Sequence, residues 1–385
     1  MVRLVRSGKS MHVVANQFKV SVNTVLLWVR RAHGQRLERV NFTDRAPGCV
    51  RGWNRVPTSV EQRIAELRRT LREESILGEY GAMAIQIALQ AEMHSPVPSI
   101  ATINRALSRQ GLQDAARHIR RAAPPKGWYL PAVVAGEVEL DSFDLIEELK
   151  IANGPLICVL NGTSLHGGLV DSWPLEQATA KRVLEHVLKR WEREGLPAYA
   201  QFDNGTHFQG AHQFADAVGR VSRLCLALGV VPVFAPPREP GFQNAIEGFN
   251  GLWQAKVWQR HKFADIAELE AVSARYVSAH RARSSARREQ APKRAPVPSD
   301  FTLNLNARLK GTMIFLRRTD ENGRAHLLGR TFDVCEHWVH RLVRCEVDFT
   351  EQRIRFYALR RRDPGDQPLL HEVSYQRKYK RFYGQ

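Results

Sequence analysis

Apolar residues recur at helical spacing through the first 114 positions, then at alternating or continuous spacing beyond about 135, so an all-α beginning precedes a mixed remainder. In MHVVANQFKVSVNTVLLWVRR, Val14, Ala15 and Phe18 share one helical face, VSV marks a turn, and Val25, Trp28 and Val29 share the next. That rhythm predicts a helix-turn-helix over 1–33 whose second helix exposes Asn23, Thr24 and Arg30. A Gly-, Pro- and Arg-rich linker follows at 34–56. SVEQRIAELRRTLREE then carries Val60, Ile64, Leu67 and Leu71 on one stripe, and GAMAIQIALQAEMHSPVPSIATINRALSRQGL repeats helix, break, helix with Ser99 as an N-cap. Residues 57–114 therefore read as a second helix-turn-helix or winged-helix-like unit, and RHIRRAAPPKGW as part of a basic linker over 115–134.

From 135 to 283 the pattern changes. GEVELD alternates and stops at Asp141, LICVLNG and GGLVDSW read as further strands, and LEQATAKRVLEHVLKRWERE is an amphipathic helix with Val183, Leu184, Val187 and Trp191 inward. A strand AYAQFD ends at Asp203, a helix spans about 210–228, and VVPVFA precedes a Pro/Gly loop and another helix. Three antiparallel-looking strands followed by alternating helix and strand is the order of a ribonuclease-H-like α/β core. SSARREQAPKRAPVPS marks a linker at 284–302. Over 303–385, GTMIFLRRTDENGRAHLLG reads as two strands around an Asn-Gly turn and VHRLVRCEVDFTEQRIRFYAL as a hairpin in which Val343, Cys345, Val347 and Phe349 alternate with charges, together predicting a small β-barrel with a basic tail. The expected fold is multidomain: helical N-terminal units, an α/β core and a C-terminal barrel.

Charge narrows the partners. With 57 Lys and Arg and a formal net charge of +18, the chain suits a polyanion, and nucleic acid before a membrane face. Asn23, Thr24 and Arg30 would then meet a major groove, and a tandem pair of readers suits a long, unique sequence of double-stranded DNA. Five scattered cysteines without a CxxC read as buried thiols in a reducing compartment. The start MVRLVRSGKSMHVV has no apolar h-region, and no run approaches the roughly 18 apolar residues of a membrane span, so a cytoplasmic place and no membrane partner are expected.

The loop and helix PREPGFQNAIEGFNG set one carboxylate, Glu247, among neutral residues in this basic chain. Together with FDNGTHF, which carries Asp203, it resembles the paired signatures of DDE transposases and retroviral-type integrases, particularly bacterial insertion-sequence enzymes. The spacing agrees: 43 residues lie between Asp203 and Glu247, and 61 between Asp141 and Asp203. The resemblance implies a catalytic and metal-binding triad of Asp141, Asp203 and Glu247. Hard, small Mg²⁺ takes oxygen ligands, and two such ions, with Mn²⁺ able to substitute, can activate a water or a DNA 3′-hydroxyl and stabilise the leaving 3′ oxygen. Asp144 is a rival for the first ligand. Strand alternation puts it on the face opposite Asp141, and Asp141 is preferred because it ends the alternating run.

The same resemblance implies a transposase that binds the terminal repeats of an element, hydrolyses the strand at its 3′ end and joins it to target DNA without a covalent protein intermediate. It further implies a homo-oligomer assembled on paired ends and, in a bacterium, association with the nucleoid. A domesticated DNA-binding regulator with an inactive core, or a metal-dependent nuclease without strand transfer, remain open. Many relatives carry Arg after the Glu, and Lys or Arg seven positions on; this chain has Gly248 and Gln254, with Asn250 and Gln254 expected to face DNA. Lys256 falls on the opposite face, so the grip on DNA near the site must be built otherwise.

Overall fold

The computed structural model describes residues 1–43, 56–92, 96–114, 126–152, 154–211, 214–239, 241–377 and 382. Most of the basic connector at 115–125, the centre of the first linker and most of the basic tail lie outside them. The chain divides into two compact units, residues 1–60 and 61–385.

In the first unit, α1 (Val2–Arg6), α2 (Met11–Phe18) and α3 (Val22–Ala32) close around Val14, Ala15 and Val25. Ser10 and Ser21 begin α2 and α3 as side-chain caps. The turn between them needs a left-handed residue, and Lys19 supplies it at φ 52°, where glycine would sit without strain. The expected linker begins later than its composition suggested: Val40 is buried against Val2 and Ala32.

The boundary falls within the first turn of α4 (Thr58–Glu74), which continues into the second unit with α5 (Ala82–Ala91) and α6 (Ile100–Arg109), closed by Ile64, Ile85 and Ile103 at zero exposure. Ser99 caps α6 as expected, accepting from the Thr102 N–H at 3.3 Å. After α7 (Pro131–Val134) come β1 (Leu140–Lys150), β2 (Leu156–Ser164), β3 (Val170–Leu175), α8 (Ala180–Glu194), β4 (Tyr199–Phe202), α9 (Thr206–Gln209), α10 (Arg220–Ala227) and β5 (Val231–Phe234). Next, α11 (Asn244–Trp253) runs into a π-helical turn at Gln254–Trp258, followed by α12 (Ile266–Arg283) and α13 (Ser285–Glu289). The sheet order β3-β2-β1-β4-β5, with β2 antiparallel to its neighbours and β4 and β5 parallel to β1, is a mixed α/β sheet consistent with a ribonuclease-H-like core. Trp128, Tyr129 and Leu130, placed in a linker by composition, are buried under it.

The C-terminal strands differ from the expectation. β6 (Thr312–Arg318), β9 (Leu342–Asp348), β10 (Arg353–Ala358) and β11 (Leu369–Ser374) extend the core sheet through parallel pairing of β5 with β6, giving one open nine-stranded sheet, and no barrel closure is among the observed pairings. β7 (Arg324–Leu327) pairs with β8 (Arg330–Asp333), so the Asn-Gly turn separates β6 from β7 without making a hairpin of them; β9 and β10 do form one. Burial explains the continuity. Phe234 of β5 stacks on Phe315 of β6 with ring centroids 5.1 Å apart, in the same apolar cluster as Phe143, Phe202, Cys345 and Phe356. The supposed linker at 284–302 is pinned as well, Ala295 bridging to Leu196 and Arg287 donating to the Leu165 carbonyl. Among the described residues no helix is long and apolar enough to cross a membrane. Cys158, Cys225 and Cys345 are buried free thiols, Cys335 is half-buried, and Cys49 is not described.

Candidate active site

Strand β1 begins at Leu140 and does not end at Asp141, so the first acid candidate stands at the start of the strand. Alternation then sends Asp141, Phe143 and Leu145 toward α8, while Asp144 and Ile146 face α11. Asp141 is fully buried. It accepts from Arg190 Nε at 3.1 Å, Arg294 Nη2 at 2.5 Å, Trp191 Nε1 at 3.2 Å and Ser164 Oγ at 2.8 Å. Burial alone would raise its pKa, but the Arg190 and Arg294 guanidiniums overcome that and hold it far below the usual carboxylate range. Arg190, itself fully buried, continues to Asp171, which also accepts from Arg193 and Arg281. Asp141, the residue preferred from the sequence as first metal ligand, is thus engaged in a buried ion-pair network on the face of β1 opposite Asp144.

Asp144 occupies the other face. Its Oδ2 accepts from Asn250 Nδ2 at 2.8 Å, and Asn250 Oδ1 accepts from Asn161 Nδ2 at 2.8 Å. Burial first, then the charges of Asp203 and Glu247, push its pKa up to about 7. Those same two acids therefore lie within electrostatic reach of Asp144. Asp203 follows the last residue of β4 and turns its Oδ1 onto the Gly205 N–H at 2.8 Å. A Cβ at position 205 would come 2.9 Å from that oxygen, so a larger residue there would push the Asp203 carboxylate aside. Glu247 sits exposed in the first turn of α11. Asn204 ties strand ends together, its amide donating to the Ala235 carbonyl at 2.6 Å and its Oδ1 accepting from Arg317.

The other candidates divide. Asn250 is half-buried and spent on Asp144 and Asn161, so it is placed to orient an acid and is not turned outward toward DNA. Gln254 is half-buried where α11 gives way to the π-helical turn. Lys256 donates to the Gly78 carbonyl at 3.3 Å, away from the acids. On α3, Asn23 and Arg30 are exposed, but the Thr24 hydroxyl is held 2.8 Å from Ser21 Oγ within the cap. Leu27, 60% exposed between Asn23 and Arg30, was not anticipated; its i, i+4 spacing from Asn23 was the available signal.

Among the described residues no three His, Cys, Asp or Glu side chains are placed to hold a metal ion as they stand. In kind, three carboxylates fit a hard divalent cation, and the crowding that raises Asp144 is what such a cation would relieve.

No family model and no curated protein matches the chain. Solved structures similar to it include the HTLV-2 integrase catalytic core domain in complex with magnesium, at 12% identity and TM-score 0.28 over 41% of this chain and 86% of that one. The simian T-cell lymphotropic virus intasome in complex with a PP2A regulatory subunit gives 14% and 0.32 over 68% and 84%. The BIV integrase catalytic core gives 19% and 0.27 over 37% and 80%. These are weak likenesses, and the functional reading rests on the residues.

Proposed function

We propose that the protein cuts and joins DNA strands as a transposase, with Asp144, Asp203 and Glu247 as its acidic site. The observation that carries this reading is that Asp203, after the end of β4, and Glu247, at the start of α11, both act electrostatically on the half-buried Asp144 of β1. Among the described residues no Lys or Arg pairs with Asp144. Such a cluster is costly unless it serves a cation. Asp144 and Asp203 would hold Mg²⁺ from the sheet and Glu247 from the helix, with Asn250 fixing the Asp144 rotamer. When bound, two Mg²⁺ ions, or Mn²⁺ in their place, supply activation of a water or 3′-hydroxyl and stabilisation of the leaving oxygen. Asn23 and Arg30 on α3 would read the element's ends, and the net charge of +18 would hold phosphates regardless of sequence. A homo-oligomer on paired ends follows from the motif resemblance.

The test incubates the full chain with Mg²⁺ and DNA from either side of its own gene, and reads both nicked and strand-joined products. Glu247→Gln and Asp203→Asn should keep end binding and lose cutting. Cutting without joined products would make the protein a nuclease. Sequence-specific binding without cutting would make it a regulator.

A further inference from the structure

The helix of Glu247 lacks the cation that many enzymes of the resembled family carry, so a grip on the strand near the acids must come from elsewhere. A cavity of about 320 Å³ opens beside Asn204, the residue after Asp203, and is lined by Gln209, Arg317, His326, Arg330 and Thr331. Arg317 is 7% exposed and lies on β6, the first strand beyond the core. All its partners are neutral: the His326 carbonyl at 2.9 Å, the Leu316 carbonyl at 2.8 Å, the Ala235 carbonyl at 3.4 Å and Asn204 Oδ1 at 2.8 Å. A guanidinium has five N–H donors, so these bonds fix its plane and leave one donor unspent. Burial without a counter-charge lowers its pKa to about 10.

The other ionisable groups at the cavity have partners. Arg330 is bonded to Asp216 at 2.8 Å, and His326 stands 3.4 Å from Asp320. Gln209 is 6% exposed, and its Oε1 has no hydrogen-bond partner. A buried cation lacking an anion and a buried amide lacking a partner face one opening next to Asp203.

We propose that this cavity is an anion site that holds a backbone phosphate of the DNA strand running past Asp203. The inference rests on the DNA-cutting reading above and supplies the local grip that Gly248 and Gln254 do not. A phosphate there would complete the charge of Arg317, and the Gln209 amide, turned about its end, could donate a second bond. The strand would be held by its backbone, which sets register without reading bases.

Two arms test it, both with the full chain as wild type, Arg317→Gln and Gln209→Leu. Gln209→Leu removes a group whose oxygen has no partner and keeps a folded variant available if Arg317→Gln fails to fold. In the first arm inorganic phosphate is titrated and thermal unfolding read; wild type should be stabilised and the variants much less. In the second arm, duplexes carry one neutral methylphosphonate at each position in turn. Wild type should lose roughly tenfold or more in affinity at one phosphate near the cleavage point, and Gln209→Leu should lose less there. Equal phosphate stabilisation in all three proteins, with no single sensitive position, overturns the proposal. Stabilisation by phosphate that depends on both residues, but no sensitive position in DNA, makes this a free-phosphate site and overturns the DNA assignment. Phosphate stabilisation that depends on both residues, with one sensitive phosphate in DNA that is bound but never cut, would sink the transposase reading and leave the phosphate site standing.

Discussion

Asp141 and Asp144 stand three residues apart on one strand, carry the same carboxyl group, and are driven in opposite directions by what faces them. On the α8 side Asp141 meets two guanidiniums, an indole and a hydroxyl, and its charge is locked in. On the α11 side Asp144 meets an amide and two more acids, and its charge is opposed. Asp141 is fully buried and Asp144 half-buried, and what sends them in opposite directions is the sign of the neighbouring charges. A satisfied buried acid holds a fold together, whereas a crowded one stores repulsion that a cation can release.

The largest effect expected is on catalysis. Asp144→Asn should lower Mg²⁺-dependent cutting by about a thousandfold, the scale of losing one charge partner of a transition state, with melting temperature unchanged or slightly raised because repulsion is relieved. Cutting at the wild-type rate would return the first-ligand question to Asp141. The converse change, Asp141→Asn, should cost about 3–5 kcal/mol in urea unfolding because Arg190 and Arg294 lose their buried counter-charge, while the folded fraction still cuts. If stability holds and cutting alone is lost, the contrast between the two faces collapses.

Asn250→Ala sharpens the comparison by removing the amide that steadies Asp144. A loss of about 1–2 kcal/mol of stability is expected, together with a higher Mg²⁺ requirement and an unaltered salt dependence of DNA binding. A shallower salt slope would mean that Asn250 touches the strand after all. Acid titration probes the Asp141 side. Because its folded pKa is depressed, its contribution is fully present above the unfolded value of about 3.9 and fades as pH falls below it, so the acid limb of a stability–pH curve should flatten in Asp141→Asn. The smallest effect belongs to Gln254→Lys, which should steepen the dependence of log affinity on log salt by about 0.7 to 0.9 if position 254 borders DNA. An unchanged slope would place it away from the strand.

Periodicity alone yielded the helices that carry Val14, Val25, Ile64 and Val183, the strand that stops at Asp203, and the helix that starts before Glu247, because each depends on local spacing and on the residues that cap or break it. The two later acids were legible for the same reason: each is embedded in a short motif whose Gly, Asn and Pro neighbours have local work to do. Gly205, for example, leaves the Asp203 carboxylate room to turn onto its N–H. The choice between Asp141 and Asp144 was not legible. Alternation placed them on opposite faces but could not say which face meets α11, a helix about a hundred residues away in the chain. The C-terminal strands pose the same limit. Val343, Cys345 and Val347 alternate as strand residues must, yet whether their apolar side closes on itself or joins the sheet of Phe234 depends on a partner strand that only packing selects. Arg294 shows it most plainly: it lies within a Pro-rich basic stretch that reads as a linker, and the fold carries it, half-buried, into an ion pair with the fully buried Asp141. Sequence determined the local elements and two acids of the proposed site, because neighbours in the chain settle those; the surroundings that favour Asp144 as the third, the continuous sheet and the buried charge pairs were decided by tertiary structure, because their energies belong to contacts between residues far apart in the chain.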